Sequence, residues 1–253
     1  MLAIERRNII LERLQAEKRV VVSELAAVFE VSEETVRRDL EKLENEGLVI
    51  KSYGGAVLNE NVNLDLPYTV RKHRNVVGKQ KIAELISEMV RDGDKIFLDA
   101  SSTAVAIAKN IKQKKDITIV TNSLEIAIEL VDAANCKVIT TGGEVISTSL
   151  AMLGQMTDKA IYSYYMDKAI ISSKGLDLEV GITDSDERNA HNKKSMLNCA
   201  RVRILAIDSS KFDRIAFAKI GELYDVHTIV TDKKPSEKWL SKFEECNIEC
   251  IYP

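Results

Sequence analysis

The chain has 253 residues, 45% of them apolar and 30% charged, and a formal net charge of −3. That length holds one large domain or two smaller ones, the composition is ordinary for a globular protein, and no apolar run reaches the roughly 18–20 residues of a bilayer-spanning helix. The first 58 residues carry nine basic groups against eleven acidic ones, so any nucleic-acid function has to rest on where the basic groups point, not on their sum.

The opening stretch MLAIERRNIILERL sets charges among apolar residues at helical spacing. A secretory leader needs an unbroken apolar core, so export is not expected and the cytoplasm is. Ile4, Ile10, Leu11 and Leu14 form the apolar stripe of a first helix. Residues 18–22 read as a short extended link. Ser23 is placed to cap a second helix over 24–29, with Leu25, Val28 and Phe29 inward.

After a brief turn at Glu30 and Val31, Ser32 offers another N-cap, and Glu33 and Glu34 suit the positive end of the helix that follows. That third helix runs to about Glu46, and Gly47 stands where a terminating glycine belongs. At 100° per residue, Val36, Leu40 and Leu43 share one face. Thr35, Arg38, Lys42 and Asn45 share the other, with Arg37 at its margin. An aliphatic-backed helix with hydroxyl, guanidinium and ammonium groups outward is what a major-groove reader needs.

Residues 48–52 and 56–58 predict two short strands joined by Tyr53-Gly54-Gly55, a wing whose Lys51 and Tyr53 can reach phosphate or minor groove. On pattern alone, a solvated arginine pair on a small helical module is the alternative.

Arg6-x3-Ile10-x3-Leu14, ELAAVFEVS over residues 24–32, and Ser32-x2-Thr35-Val36-Arg37-Arg38-Asp39-Leu40 together resemble the signature of the DeoR family of bacterial regulators. Tyr53-Gly54-Gly55-Ala56 stands where that family commonly has His-Gly-Gly-Ala. The resemblance implies binding to double-stranded operator DNA through a winged helix-turn-helix over residues 1–58. Within it, Ser32 and Thr35 are expected where the helix enters the groove, Arg37 and Arg38 on bases or phosphates, and Asp39 in a structural role, pairing with an arginine.

Residues 59–68 (NENVNLDLPY) are polar, asparagine-rich and proline-bearing, and read as a linker. A helix is expected from about Thr69, carrying Arg71-Lys72-His73-Arg74 and then an amphipathic run through Ile82, Leu85, Ile86, Met89 and Val90. From Gly93 onward strand-like runs (KIFLD, ITIVT, KVITT, KAIIS, RILAID, TIVT) alternate with helical ones. The fold class expected for residues 69–253 is therefore α/β, with a mainly parallel sheet covered on both faces.

Ligands bind such sheets beyond the carboxyl ends of the strands. Those ends carry Asp99, Ser101, Ser102 and Thr103; then Asn122; then Gly142 and Gly143; then Lys174; then Lys211. Hydroxyl residues opening a helix leave free backbone N–H groups for an anion, and a lysine supplies counter-charge. Each Ser or Thr is alternatively a helix cap and nothing more. LDASST, IVTNS, TTGG and AIDSSK resemble sensor-domain landmarks of the same family, whose sensor resembles sugar-phosphate isomerases and coenzyme A transferases in fold. That resemblance implies a phosphate cradle at Ser101–Thr103 with Lys211 opposite. The family often has a glycine near Ala100 or Ser101, which this chain lacks.

Asp184, Asp186 and Glu187 form an acidic cluster before a helix. They are candidates for the base of an aldose–ketose isomerisation, for plain helix-start acids, or, in Glu187, for a sugar-hydroxyl acceptor. A purely architectural DNA protein is a third reading. Cys136, Cys199, Cys246 and Cys250 include no C-x-x-C pair and have no His cluster beside them, so neither cofactor nor metal is expected. Repression altered by a small phosphorylated metabolite, through a homo-oligomer (dimer or tetramer) without membrane partners, is the expected mode of action.

Overall fold

A computed structural model describes residues 1–59 and 66–253, without the side chains at positions 4, 8, 12, 15 and 16. Ile4 of the expected stripe and residues 60–65 of the expected linker lie outside the described residues. The chain divides into two compact units, Met1–Val76 and Val77–Pro253. No helix among the described residues is long and apolar enough to cross a membrane.

The first unit runs α1 (Ala3–Glu17), β1 (Arg19–Val21), α2 (Val22–Phe29), α3 (Glu33–Asn45), β2 (Val49–Ser52), β3 (Gly55–Leu58) and α4 (Tyr68–Arg71). Ile10 and Leu14 of α1, Leu25 of α2, and Val36, Leu40 and Leu43 of α3 are fully buried in one core. Gly47, at φ 72°, turns the chain out of α3, and the Leu48 N–H closes the end onto the Leu43 carbonyl at 2.9 Å.

The expected extended link is present as strand β1, which pairs antiparallel with β3, giving the sheet order β1-β3-β2. Ser23, by contrast, is no cap. The second helix begins earlier, at Val22, with Val21 as its N-cap. Its apolar face then runs Val22, Leu25, Ala26, Phe29, and Val28 falls on the outer side, 51% exposed.

The helix expected from Thr69 is also two helices. α4 ends at Arg71 and the next begins at Val76, after a turn in which Asn75 takes φ 45°. Leu66 and Val70 join the core of the first unit.

The second unit continues with α5 (Val76–Met89), β4 (Lys95–Leu98), α6 (Ser102–Ile111), β5 (Ile117–Thr121), α7 (Leu124–Leu130), β6 (Cys136–Thr140), β7 (Glu144–Ile146), β8 (Ala151–Leu153) and α8 (Gln155–Tyr162). Then come β9 (Met166–Ile171), β10 (Gly175–Asp177), β11 (Gly181–Asp184), α9 (Glu187–Asn198), β12 (Ala200–Ala206), β13 (Ala218–Gly221), β14 (Thr228–Val230), α10 (Glu237–Glu245) and β15 (Glu249–Ile251). Seven strands form one sheet in the order β15-β14-β12-β9-β4-β5-β6, every pairing parallel. Its inner strands β4, β5, β9 and β14 are largely buried on both faces, which is why they read as continuous apolar runs, whereas the edge strands β6 and β15 are half-exposed. From β4 the chain winds outward through β5 and β6, then returns to the other side of β4 at β9 and winds outward through β12, β14 and β15. The winding reverses between β4 and β9, and the crevice beyond their carboxyl ends is the topological switch point.

Candidate nucleic-acid interface and sensor site

In the first unit, Ser32 caps α3. Its Oγ accepts from the Thr35 N–H at 3.3 Å and lies 2.9 Å from Thr35 Oγ1. Opposite the buried Val36, Leu40 and Leu43, the side chains of Arg37, Arg38 and Lys42 are exposed. Arg37 Nη2 donates to Glu33 Oε2 at 2.6 Å, and Arg38 Nε to Glu34 Oε1 at 3.3 Å.

Asp39 is buried, and its arginine partners belong to α1. Arg6 Nε lies at 2.5 Å and Arg7 Nη1 at 3.5 Å. The pair fixes the reading helix against α1, so Arg37 and Arg38 project from a held scaffold. Tyr53 stands fully exposed at the wing turn. Lys51 is drawn back to the end of α3, its Nζ 2.9 Å from Glu44 Oε2 and its backbone N–H 3.0 Å from Glu44 Oε1. Those bonds from Lys51 hold the Glu44 carboxyl below its ordinary range.

In the second unit the switch point is built of buried charge. Asp99 follows β4. Its Oδ1 accepts from Ser101 Oγ at 2.7 Å and its Oδ2 from the Ser172 N–H at 3.3 Å. Lys193 of α9 reaches Asp99 Oδ2 at 3.2 Å and also donates to Asp184 Oδ2 in a very short contact. Burial alone would push the Asp184 carboxyl up, but Lys193 and Lys174 beside it hold it below the ordinary range. Burial opposes the Lys193 charge as well, and Asp184 and Asp99 outweigh it, leaving the ammonium more firmly protonated than usual.

Ser101 also accepts from the Ala104 N–H at 3.0 Å as the cap of α6. Its hydroxyl is thus engaged on both sides, and the loop's anion-binding capacity lies in the N–H groups of the first turn at Ser102 and Thr103. Asn122 (2% exposed) donates from Nδ2 to the Met152 carbonyl at 3.2 Å. Asn122 Oδ1 and Ser173 Oγ, on the strand ends either side of Asp99, are buried with no hydrogen-bond partner among the described residues.

Lys211 closes a short turn capped by Asp208. Burial raises the Asp208 carboxyl, and Lys211, two bonds from Ser210, and Lys79 more than reverse it. Gly142 and Gly143 leave β6 at φ 66° and 114°, and a Cβ on Gly143 would lie 2.4 Å from Thr157 Oγ1. Close approach explains that glycine. Glu187 is exposed in the first turn of α9, beyond the Asp186 cap.

The sequence reading missed Lys79 and Lys193, though a signal was present. Lys79 heads the stripe Lys79, Ile82, Ala83, Ile86 on the buried face of α5, and Lys193 lies among Ala190, Met196 and Leu197 on that of α9. An ammonium on an apolar stripe is costly unless it meets opposite charge, which marks both as more than solvated lysines.

A winged helix-turn-helix with an exposed basic reading helix, followed in the same chain by a parallel α/β domain with a polar switch point, defines a DNA-binding transcriptional regulator with a sensor domain. Residues 6–62 match the DeoR-like helix-turn-helix domain, and residues 74–233 match the DeoR C terminal sensor domain. The chain is 40% identical to the HTH-type transcriptional regulator YulB of Bacillus subtilis (strain 168), over 92% of this chain and 90% of that one. It is 30% identical to the HTH-type transcriptional repressor GlcR of the same organism, over 98% and 95%. It is 29% identical to the glycerol-3-phosphate regulon repressor of Escherichia coli (strain K12), over 91% of each. Among solved structures, ribose 5-phosphate isomerase A of Methanocaldococcus jannaschii covers 53% of each chain at 16% identity and a TM-score of 0.39. This chain belongs to the DeoR family.

Proposed function

We propose that the chain is a cytoplasmic repressor of carbohydrate-metabolism genes, controlled by a phosphorylated sugar or similar small anionic metabolite bound at the switch point. The observation that carries the effector reading is the pair of unpartnered buried atoms, Asn122 Oδ1 and Ser173 Oγ, flanking Asp99. A buried polar atom without a partner costs about 1–3 kcal/mol, and a polyhydroxylated ligand supplies the missing bonds. The N–H groups opening α6 offer a seat for phosphate, and Lys79, Lys211 and Lys174 are the candidate counter-charges, with Glu187 and the Gly142-Gly143 turn in more peripheral roles. The repressors of similar sequence, one of them of a glycerol-3-phosphate regulon, support the same class of ligand.

Sensing is favoured over turnover by Lys193. An isomerase base must accept a proton from carbon, whereas Asp184 is clamped by an ammonium that lowers its basicity. On DNA, Ser32, Thr35, Arg37, Arg38 and Lys42 read or brace the major groove, and Lys51 and Tyr53 of the wing contact the backbone beside it. Half-site recognition calls for a dimer or tetramer. The metabolite acts by binding one state of the protein better than the other.

Thermal-shift screening of the full chain against pentose, hexose and triose phosphates tests this reading. A binding metabolite raises Tm by mass action and changes affinity for the selected operator duplex. If no phosphate in the panel does either, the effector half of the proposal fails while DNA binding stands.

A further inference from the structure

The arginines of α3 do not stand alone on its exposed tip. Glu33 and Glu34, in the first turn of the helix, each hold the arginine one turn later, at 2.6 Å for Arg37 and 3.3 Å for Arg38. All four side chains are more than half exposed, Arg38 by 76%. Base contacts of a helix-turn-helix come from the N-terminal part of its reading helix, so these carboxylates sit at the end that enters the groove. The first 58 residues also hold more acid than base, and random DNA therefore gains little from their overall field.

We propose that Glu33 and Glu34 are specificity-determining residues that guard Arg37 and Arg38 against phosphate. On a random duplex guanine edges stand in register with the arginines only by chance, and phosphates are what the arginines chiefly gain. Taking them there breaks both ion pairs and leaves two carboxylates within a Debye length, about 8 Å at physiological salt, of the backbone charge. On the operator a guanine edge offers each guanidinium a bidentate partner. A carboxylate in the same groove can accept from a cytosine amino group. The acids thus penalise random binding more than operator binding, which is specificity by repulsion of the wrong partner. The inference rests on Arg37 and Arg38 facing DNA. The competing role, support of the helix start through its dipole, concerns stability alone.

The test uses the full chain, a duplex selected by it from a random-sequence library, and a scrambled duplex of equal length. Fluorescence anisotropy is read across a salt series for wild type, Glu33→Gln, Glu34→Gln and the double variant, with thermal melts alongside. Affinity of the double variant for the scrambled duplex should rise roughly threefold to tenfold, and its salt slope should steepen by about 0.9 for each phosphate newly held. Operator affinity should change less, so that the operator-to-scrambled ratio falls. An unchanged ratio and slope, with or without a lower Tm, overturns the proposal. Arg37→Ala and Arg38→Ala separate the two levels. If they weaken operator binding while the glutamine variants leave the ratio alone, only the guarding role is wrong. If they leave operator binding intact, the interface assignment falls and this proposal with it.

Discussion

Arg6 of α1 donates its Nε–H to the Asp39 carboxylate of α3 at 2.5 Å, with both side chains buried. The bond joins the first helix to the middle of the reading helix, between Arg38 and Leu40. Removing one partner of a buried pair strands the other charge, a cost of about 3–5 kcal/mol. Asp39→Ala should therefore lower the stability of the first unit by that order in urea denaturation of the full chain. The double variant Arg6→Met/Asp39→Leu should recover most of it, because apolar residues can replace a buried ion pair. A double variant no more stable than Asp39→Ala would mean that the pair does more than satisfy its own charges.

The two wing glycines are required for different reasons. Gly54 takes φ +80° in open space, whereas a Cβ on Gly55 would meet the Val20 carbonyl oxygen at 2.0 Å. Gly54→Ala should cost about 1–2 kcal/mol of left-handed strain. Gly55→Ala should cost more, because backbone atoms cannot move aside, and it should separate β1 from β3. Hydrogen exchange at Val20 and Ala56, which face each other across β1 and β3, with operator affinity, distinguishes the two, and equal effects would refute the ordering.

Lys193 predicts an inversion of pH dependence. In wild type the lowered Asp184 carboxyl contributes stability above its unfolded value, about 3.9, and loses it as pH falls from there through the folded value. Lys193→Met removes the cation that most lowers Asp184 and leaves burial, the cause that raises it, in place, so the Asp184 carboxyl rises above its unfolded value. That group contributes most below pH of about 4, and its contribution falls as pH climbs to the raised value. Denaturation of the second unit between pH 4 and 7 should show stability declining toward neutrality in the variant and not in wild type. Parallel profiles would show that Lys193 is not the charge holding Asp184 ionised.

Much of this was legible in the sequence, for identifiable reasons. The reading helix announces itself because Ser32, Val36, Leu40, Leu43 and Gly47 give cap, face and stop in one short span. The strands of the parallel sheet are apolar runs between helices. The β7–β8 hairpin and the small sheet β10-β11-β13 were not legible, since strands of three or four residues are too short to show a period. The buried triad was hidden for another reason. Asp99, Asp184 and Lys193 are distant in sequence and meet only once the winding reverses between β4 and β9.

The most direct measurement is operator affinity in the presence and absence of a sugar-phosphate panel, for wild type and for Lys79→Met and Lys211→Met. The Phe212 ring lies 5.1 Å from that of Trp239, the chain's single tryptophan, so binding beside Lys211 can be followed by its fluorescence. The account predicts that at least one phosphorylated sugar shifts operator affinity in wild type, and that each lysine variant still binds operator but needs roughly tenfold or more additional metabolite, the loss expected for a charge-assisted bond. A regulator whose operator affinity ignores every phosphorylated sugar, or whose lysine variants respond as wild type does, would contradict it.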